Sequence, residues 1–348
     1  MSQFEVKRRD FIASAAAMLA VPAGASLAHA QAKKYEGRKL IASIFGGKSQ
    51  DVIQGDVFNW LNSETGMSVT GVPLLSAAAY ARLKAEAASP QIDLFNFSGG
   101  QQVQAKAEGL TQPLNFTPRM KNLPEKFRDA DNHWLSWGVI AEGILYRTDK
   151  ITTPPTSYLD FLKPEYRGHI AFPNITNGYG VDFLVMMARA HGGGENNIDP
   201  GFKALKQIAA DASIFRAATD VQTQFAQNDV WIMPYDSASA LVSASMGLPV
   251  AFAPAKEGVP SVYLTGCVAK NSKNADLAVE MLDRLLSPEI QVKIARTVGW
   301  GPTNPEAVLP ADIARAFPSP DQLINLDRAA IGAQHAEWTK RFSQEIAR

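Results

Sequence analysis

The residue clusters in this 348-residue chain that most suggest chemistry each fail on spacing. Gly46-Gly47-Lys48-Ser49 ends in the manner of a phosphate-binding loop, whose backbone N–H groups cradle phosphate oxygens, but such a loop needs glycine where Ala42 stands. His191-Gly192-Gly193-Gly194 has the make-up of an esterase oxyanion loop, yet the chain holds no Gly-x-Ser-x-Gly elbow to carry a nucleophile. A glycine run closing a helix near His191 is the simpler reading. The five histidines, at 29, 133, 169, 191 and 335, never fall four apart as a helical metal pair requires. Cys267 is the one cysteine, so neither an intramolecular disulfide nor a thiolate zinc site can form, and its apolar surroundings mark it as a small buried hydrophobe. No cofactor fingerprint is present, and carboxylate pairs for proton transfer form through space and leave no mark in a sequence.

What remains is the chemistry of binding. Asp236 closes the apolar run Trp231-Ile232-Met233-Pro234-Tyr235 at the end of a predicted strand, and Arg216 follows Ile214-Phe215 at the end of another. A guanidinium fork suits a carboxylate and an isolated aspartate suits an ammonium group. Two other readings stand beside that one: both residues are surface charges, or they pair with each other. Three strand-to-helix turns carry glycine: Phe45-Gly46-Gly47, Ser98-Gly99-Gly100 and Asn177-Gly178-Tyr179-Gly180. Turns of this kind lie at the C-terminal ends of parallel strands, where open α/β sheets bind ligands and helix N-termini favour anionic atoms. Each also has the plainer reading of a tight connection.

The elements that position these residues follow from periodicity. Short apolar runs at 39–45, 91–97 and 168–172 are each followed by a helical pattern, at 50–65, 101–108 and 179–190. Such alternation predicts α/β lobes with mainly parallel sheets. Extended apolar stretches at 137–146 and 250–268 can carry the chain between lobes, so residues 35–137 with 261–303 form one lobe and 138–260 the other. Residues 304–348 make a tail, mostly helical, with prolines in its first half. Leu277, Ala278, Met281, Leu282 and Leu285 fall on one face of a helix over 275–286 and belong to a core.

Lys7-Arg8-Arg9-Asp10-Phe11-Ile12, an uncharged stretch to Ala28 and the small-x-small site Ala28-His29-Ala30 have the order of a twin-arginine export leader, with cleavage after Ala30. Its alanines, Pro22 and Gly24 make it a poor membrane span. Removing it takes away three basic and two acidic side chains from 34 of each, so the body that is left is close to neutral. A nucleic-acid partner is therefore not expected, because it requires a basic footprint.

From Trp137 onward four motifs occur in order: Gly143-Ile144-Leu145-Tyr146-Arg147-Thr148-Asp149-Lys150-Ile151, Pro154-Pro155-Thr156-Ser157-Tyr158-Leu159-Asp160-Phe161, Pro164-Glu165-Tyr166-Arg167-Gly168, and Ser287-Pro288-Glu289 with Val298-Gly299-Trp300-Gly301-Pro302-Thr303-Asn304. Together they resemble the spermidine/putrescine-type periplasmic solute-binding proteins over nearly the whole chain past the leader. The resemblance implies a two-lobed type II periplasmic-binding fold. It also implies a periplasmic, non-enzymatic monomer that needs no cofactor or metal and delivers a small solute to a membrane permease with its ATPase. Carried over residue by residue, it assigns ligand contacts to Ser98, Tyr235, Tyr263 and Trp300, beside Gly46, Gly47 and Gly99, which the strand-end turns already offer as contacts. Where polyamine receptors of this type carry carboxylates, this chain has Asn174, Asn177 and Thr265, and Asp236 is a gain. A dication would meet one obvious carboxylate, and each unpaired buried charge costs several kcal/mol. The expected solute is accordingly a zwitterion of the γ-aminobutyrate kind, held by Arg216 and Asp236, with a polyamine as the alternative. An exported enzyme is the alternative from another class. Iron fits less well, since ferric receptors use adjacent tyrosines and no Tyr-Tyr pair occurs.

Overall fold

A computed structural model describes residues 33–216, 220–227 and 229–347. The expected leader and Ala30 lie outside the described residues.

Strand β1 (Lys39–Ile44) is flanked in parallel by β2 (Ser68–Pro73) and β3 (Leu94–Ser98). Alternating apolar residues of β1, Leu40, Ala42 and Ile44, are fully buried, as a strand covered on its face requires. The link from β1 to β2 is one continuous helical run over 48–65, α-helical at both ends and π-helical over Ile53–Phe58. Gly66, in the left-handed region at φ 79°, stops it. Past the two-residue β4 (Thr111–Gln112) comes the long strand β5 (Trp134–Arg147). The next two strands, β6 (Ala171–Pro173) and β7 (Ser213–Phe215), pair in parallel. A single bridge, Ile170 to Ile232, ties them to β8 (Ile232–Asp236). The extended stretch expected over 250–268 is two strands, β9 (Val250–Ala253) and β10 (Val259–Ala269), with a turn between them.

The nine-stranded sheet runs β2-β1-β3-β10-β5-β8, with β9 also on β5. The parallel pairs that β1 makes with β2 and β3 are built from strand-helix-strand units. The antiparallel pairs all involve β5 or β10, because these two strands run through the middle of the sheet and each serves both ends. Where they pair, the register slips between Leu264 and Thr265, leaving Trp137 as the extra residue of a bulge. A bulge re-aims the side chain it carries.

Three apolar cores result. One holds Leu40, Ile44, Leu94, Leu264 and the buried stripe Leu277, Ala278, Met281, Leu282 and Leu285 of the Ala275–Leu285 helix. A smaller one packs Phe95 and Phe97 around the fully buried Cys267. The third gathers Phe172, Phe183, Phe202 and Ile232, and the tail closes it: Trp338 and Phe342 of the Arg328–Glu345 helix are buried there. Before that helix the tail also lays a short strand, β11 (Leu323–Ile324), along β10. No helix among the described residues is long and apolar enough to cross a membrane.

Candidate functional site

Four strands end in the same way, in a turn that opens a helix. After β1, Gly46 and Gly47 lead into the Lys48–Val52 helix. After β3, Ser98-Gly99-Gly100 leads into Gln101–Ala107, and both glycines have φ near +100°, a conformation that side chains with a Cβ avoid. After β6, Asn177 caps the Gly178–Ala190 helix by accepting a hydrogen bond from the Tyr179 N–H at 3.1 Å. After β8, Asp236 caps Ser237–Ser245 by accepting from the Ser239 N–H at 2.7 Å.

Two aromatic sets border these turns. Phe45, Trp137 and Trp300 meet at centroid distances of 5.8 to 6.3 Å, with the Trp137 indole N–H donating to Asn96 Oδ1 at 2.8 Å. Tyr235 lies against Tyr179 at 4.2 Å and Phe215 at 6.0 Å. Both sets belong to one continuous hydrophobic cluster. They are joined at Gly299, next to Trp300. Its carbonyl accepts a hydrogen bond from the Ser237 hydroxyl at 3.2 Å, and a Cβ built there would stand 2.5 Å from Ala238 Cα.

Electrostatically the site is acidic. Asp236 is 6 % exposed, and among the described residues no lysine or arginine pairs with it. Burial pushes its carboxyl above the usual range, opposed by hydrogen bonds from Ser239 and the Tyr179 hydroxyl. Tyr235 is 1 % exposed, and among the described residues its hydroxyl completes no hydrogen bond, although the Asn177 amide lies close by. Burial first, and the Asp236 charge second, push this phenol up to about 12. Behind Asp236, and paired with it in register, stands Glu142 of β5, itself buried.

The expected contacts divide accordingly. Gly46, Gly47, Ser98, Gly99, Asn177, Tyr235, Asp236 and Trp300 all sit on these turns or aromatic sets. The Ser98 hydroxyl is already shared with Ser76 at 3.1 Å. Asn174 is buried and folds its Oδ1 back onto the Thr176 N–H and hydroxyl, both at 3.0 Å, which fixes the turn after β6. Thr265 is fully buried and donates to the Phe97 carbonyl. Tyr263 packs its ring on Phe127 at 5.2 Å with its hydroxyl toward Ser261 and Asn325. Arg216 is exposed, one residue past Phe215; its carbonyl accepts from the Asn177 amide at 3.4 Å, and it does not pair with Asp236. Sequence reading missed Phe45, Trp137, Tyr179 and Glu142. Phe45 and Tyr179 stand inside glycine turns already singled out, and Glu142 is the sole carboxylate of a fourteen-residue apolar strand.

A two-lobed α/β body with two long strands through its middle and strand-end turns gathered at the junction is the type II periplasmic-binding fold. The chain belongs to the bacterial extracellular solute-binding protein family, whose sequence profile matches residues 88–330. It is 25 % identical over 204 residues to the spermidine/putrescine-binding periplasmic protein of Escherichia coli K12, a match covering 56 % of each chain, so it spans just over half of that relative's length. Among solved structures, it shares the fold of the spermidine/putrescine ABC transporter substrate-binding protein PotD from Streptococcus pneumoniae strain Canada MDR_19A. The TM-score is 0.76 at 19 % identity, over 88 % of this chain and 99 % of that one. The Atu4243-GABA receptor matches with a TM-score of 0.69 at 20 % identity, over 88 % and 97 %.

Proposed function

We propose that this chain is the solute-binding component of an ATP-binding-cassette importer. It captures a small amine-bearing solute between a lobe of residues 35–137 with 261–303 and a lobe of 138–260, and hands it, unchanged, to a membrane permease and its ATPase. It works as a monomer in the periplasm, reached by the leader that ends at Ala30. The observation that carries the amine is the pair at the end of β8: a buried Asp236 without a cation beside a buried Tyr235 hydroxyl without a partner. An ammonium group supplies the missing charge, and leaving such groups uncompensated is costly. The names of the relatives support the same class, since spermidine, putrescine and γ-aminobutyrate share an aliphatic ammonium.

In this reading the ammonium lies at Asp236 against the Tyr235 and Tyr179 rings, with Trp300 closing from the other lobe, and the carboxylate of a γ-aminobutyrate-like solute reaches Arg216. Lobe closure around the solute is the event the permease reads. A polyamine is the second reading, and Glu142 favours it as a further carboxylate behind Asp236. Calorimetric titration with γ-aminobutyrate, putrescine and spermidine tests the proposal, with NMR of the recovered compounds. One-to-one binding of an amine that is recovered intact is expected. Binding of none of them, or chemical conversion, defeats it.

A further inference from the structure

Glu142, 6 % exposed, and Asp182, 2 % exposed, reach the same point from β5 and from the Gly178–Ala190 helix. Both line one small cavity, and two carboxyls held side by side in such a site repel unless one of them carries a proton. From the tail helix Arg328 forks onto Asp182 at 2.5 and 2.7 Å. Its one positive charge serves two buried carboxyls of this cluster, Asp182 and Glu142, and also acts on Glu195. Tyr158, Tyr179 and Tyr235 close the remaining sides around a cavity of about 10 Å³, room for one water. Burial holds all three phenols above their usual range, so they stay neutral. Burial, Asp182 and Asp236 likewise hold the Glu142 carboxyl well above the ordinary carboxylate range.

Charge counting then has a consequence for the solute. With Glu142 protonated, Asp182 is matched by Arg328 and one negative charge is left, on Asp236. With Glu142 ionised, two are left. We propose that Glu142 is a charge selector: protonated beside Asp182 it suits an amine of one positive charge, and a diamine is accommodated by driving that proton out to solvent. The inference rests on the amine reading above and adds to it what separates the two solute classes. In the step itself the Glu142 O–H bond breaks, its electron pair stays on the carboxylate, and the proton passes to buffer. No other reactant is required.

Titration calorimetry of the whole protein in buffers of low and high ionisation enthalpy tests this, with γ-aminobutyrate and putrescine as probes. Putrescine is expected to release about one proton and to bind up to about tenfold more tightly per pH unit as pH rises. γ-Aminobutyrate is expected to release none. Glu142→Gln, always neutral, abolishes the putrescine pH dependence and shifts preference toward γ-aminobutyrate by about tenfold or more. Equal proton release by both probes, or pH-independent putrescine binding, overturns the selector while leaving the receptor standing; failure of both probes to bind removes the amine reading itself. A measurement without a variant guards against misfolding of Glu142→Gln. Before solute is added, the wild-type infrared spectrum at neutral pH should show a protonated-carboxyl band, and its absence overturns the proposal.

Discussion

Asp236 has two duties, and a single substitution separates them. As a helix cap it accepts a hydrogen bond from the Ser239 N–H; as a buried carboxyl it is the group we propose to receive an ammonium. Asparagine caps about as well as aspartate. Asp236→Asn should therefore melt close to wild type yet lose roughly 10- to 100-fold in affinity for an amine, the scale of a charge-assisted hydrogen bond. Tyr235→Phe, which deletes a hydroxyl without a partner, should be neutral to slightly stabilising in urea denaturation while weakening solute binding. Asp236 could be found in the sequence because a lone charge ending an apolar run must be either capped or used. The same logic applies to Glu142 and Asp182, each the sole carboxylate of an apolar element, but which charges meet depends on tertiary packing. That packing also turned Tyr263 onto Phe127, which no local pattern foretells.

At the level of elements, glycine marks where helices begin, and this is why the turns after β1, β3 and β6 were readable. Their side-chain duties were not: Asn174 and Asn177 are spent on local turns and a cap. Nor could the bulge at Trp137 be read, since one extra residue in a fourteen-residue strand leaves the apolar pattern intact. Gly299 shows what an element boundary contributes to the site. It ends the Pro288–Val298 helix at φ 79° with Ala238 of the facing helix against it. Gly299→Ala should cost about 1–2 kcal/mol from the backbone alone. It should also break the Ser237 contact and so weaken solute binding, both measurable by denaturation and titration. The tail helix offers a second test. Arg328→Met leaves Asp182, 3 % exposed at its side chain, without its cation. Removing one partner of a buried pair is strongly destabilising. With the guanidinium itself about half in water, about 2–3 kcal/mol is expected in urea denaturation.

For the whole molecule, the buried acids set how stability follows pH. Burial and the neighbouring Asp182 hold the Glu142 carboxyl of the folded state well above the ordinary value of 4.5, so the folded chain gives up this proton at higher pH than the unfolded one. Its contribution is thus full below that value and is lost as pH rises toward the folded-state value; Glu142→Gln should flatten this decline. Glu195 acts in the opposite direction. Burial resists its ionisation, but Arg189 and the Asp327 N–H outweigh this and hold its carboxyl low, so its contribution is present above 4.5 and lost as pH falls. Denaturation midpoints of the wild type and Glu142→Gln across the acid and neutral range check both signs. Two lobes, a junction at Gly299 and an uncompensated carboxylate beside it make one claim at this scale: a small amine is captured reversibly. Melting the protein with γ-aminobutyrate and, separately, putrescine in excess tests it most directly. A solute at 100 times its dissociation constant stabilises by about 2.7 kcal/mol. The account predicts a clear rise in Tm with at least one of the two, lost in Asp236→Asn; no shift with either contradicts it.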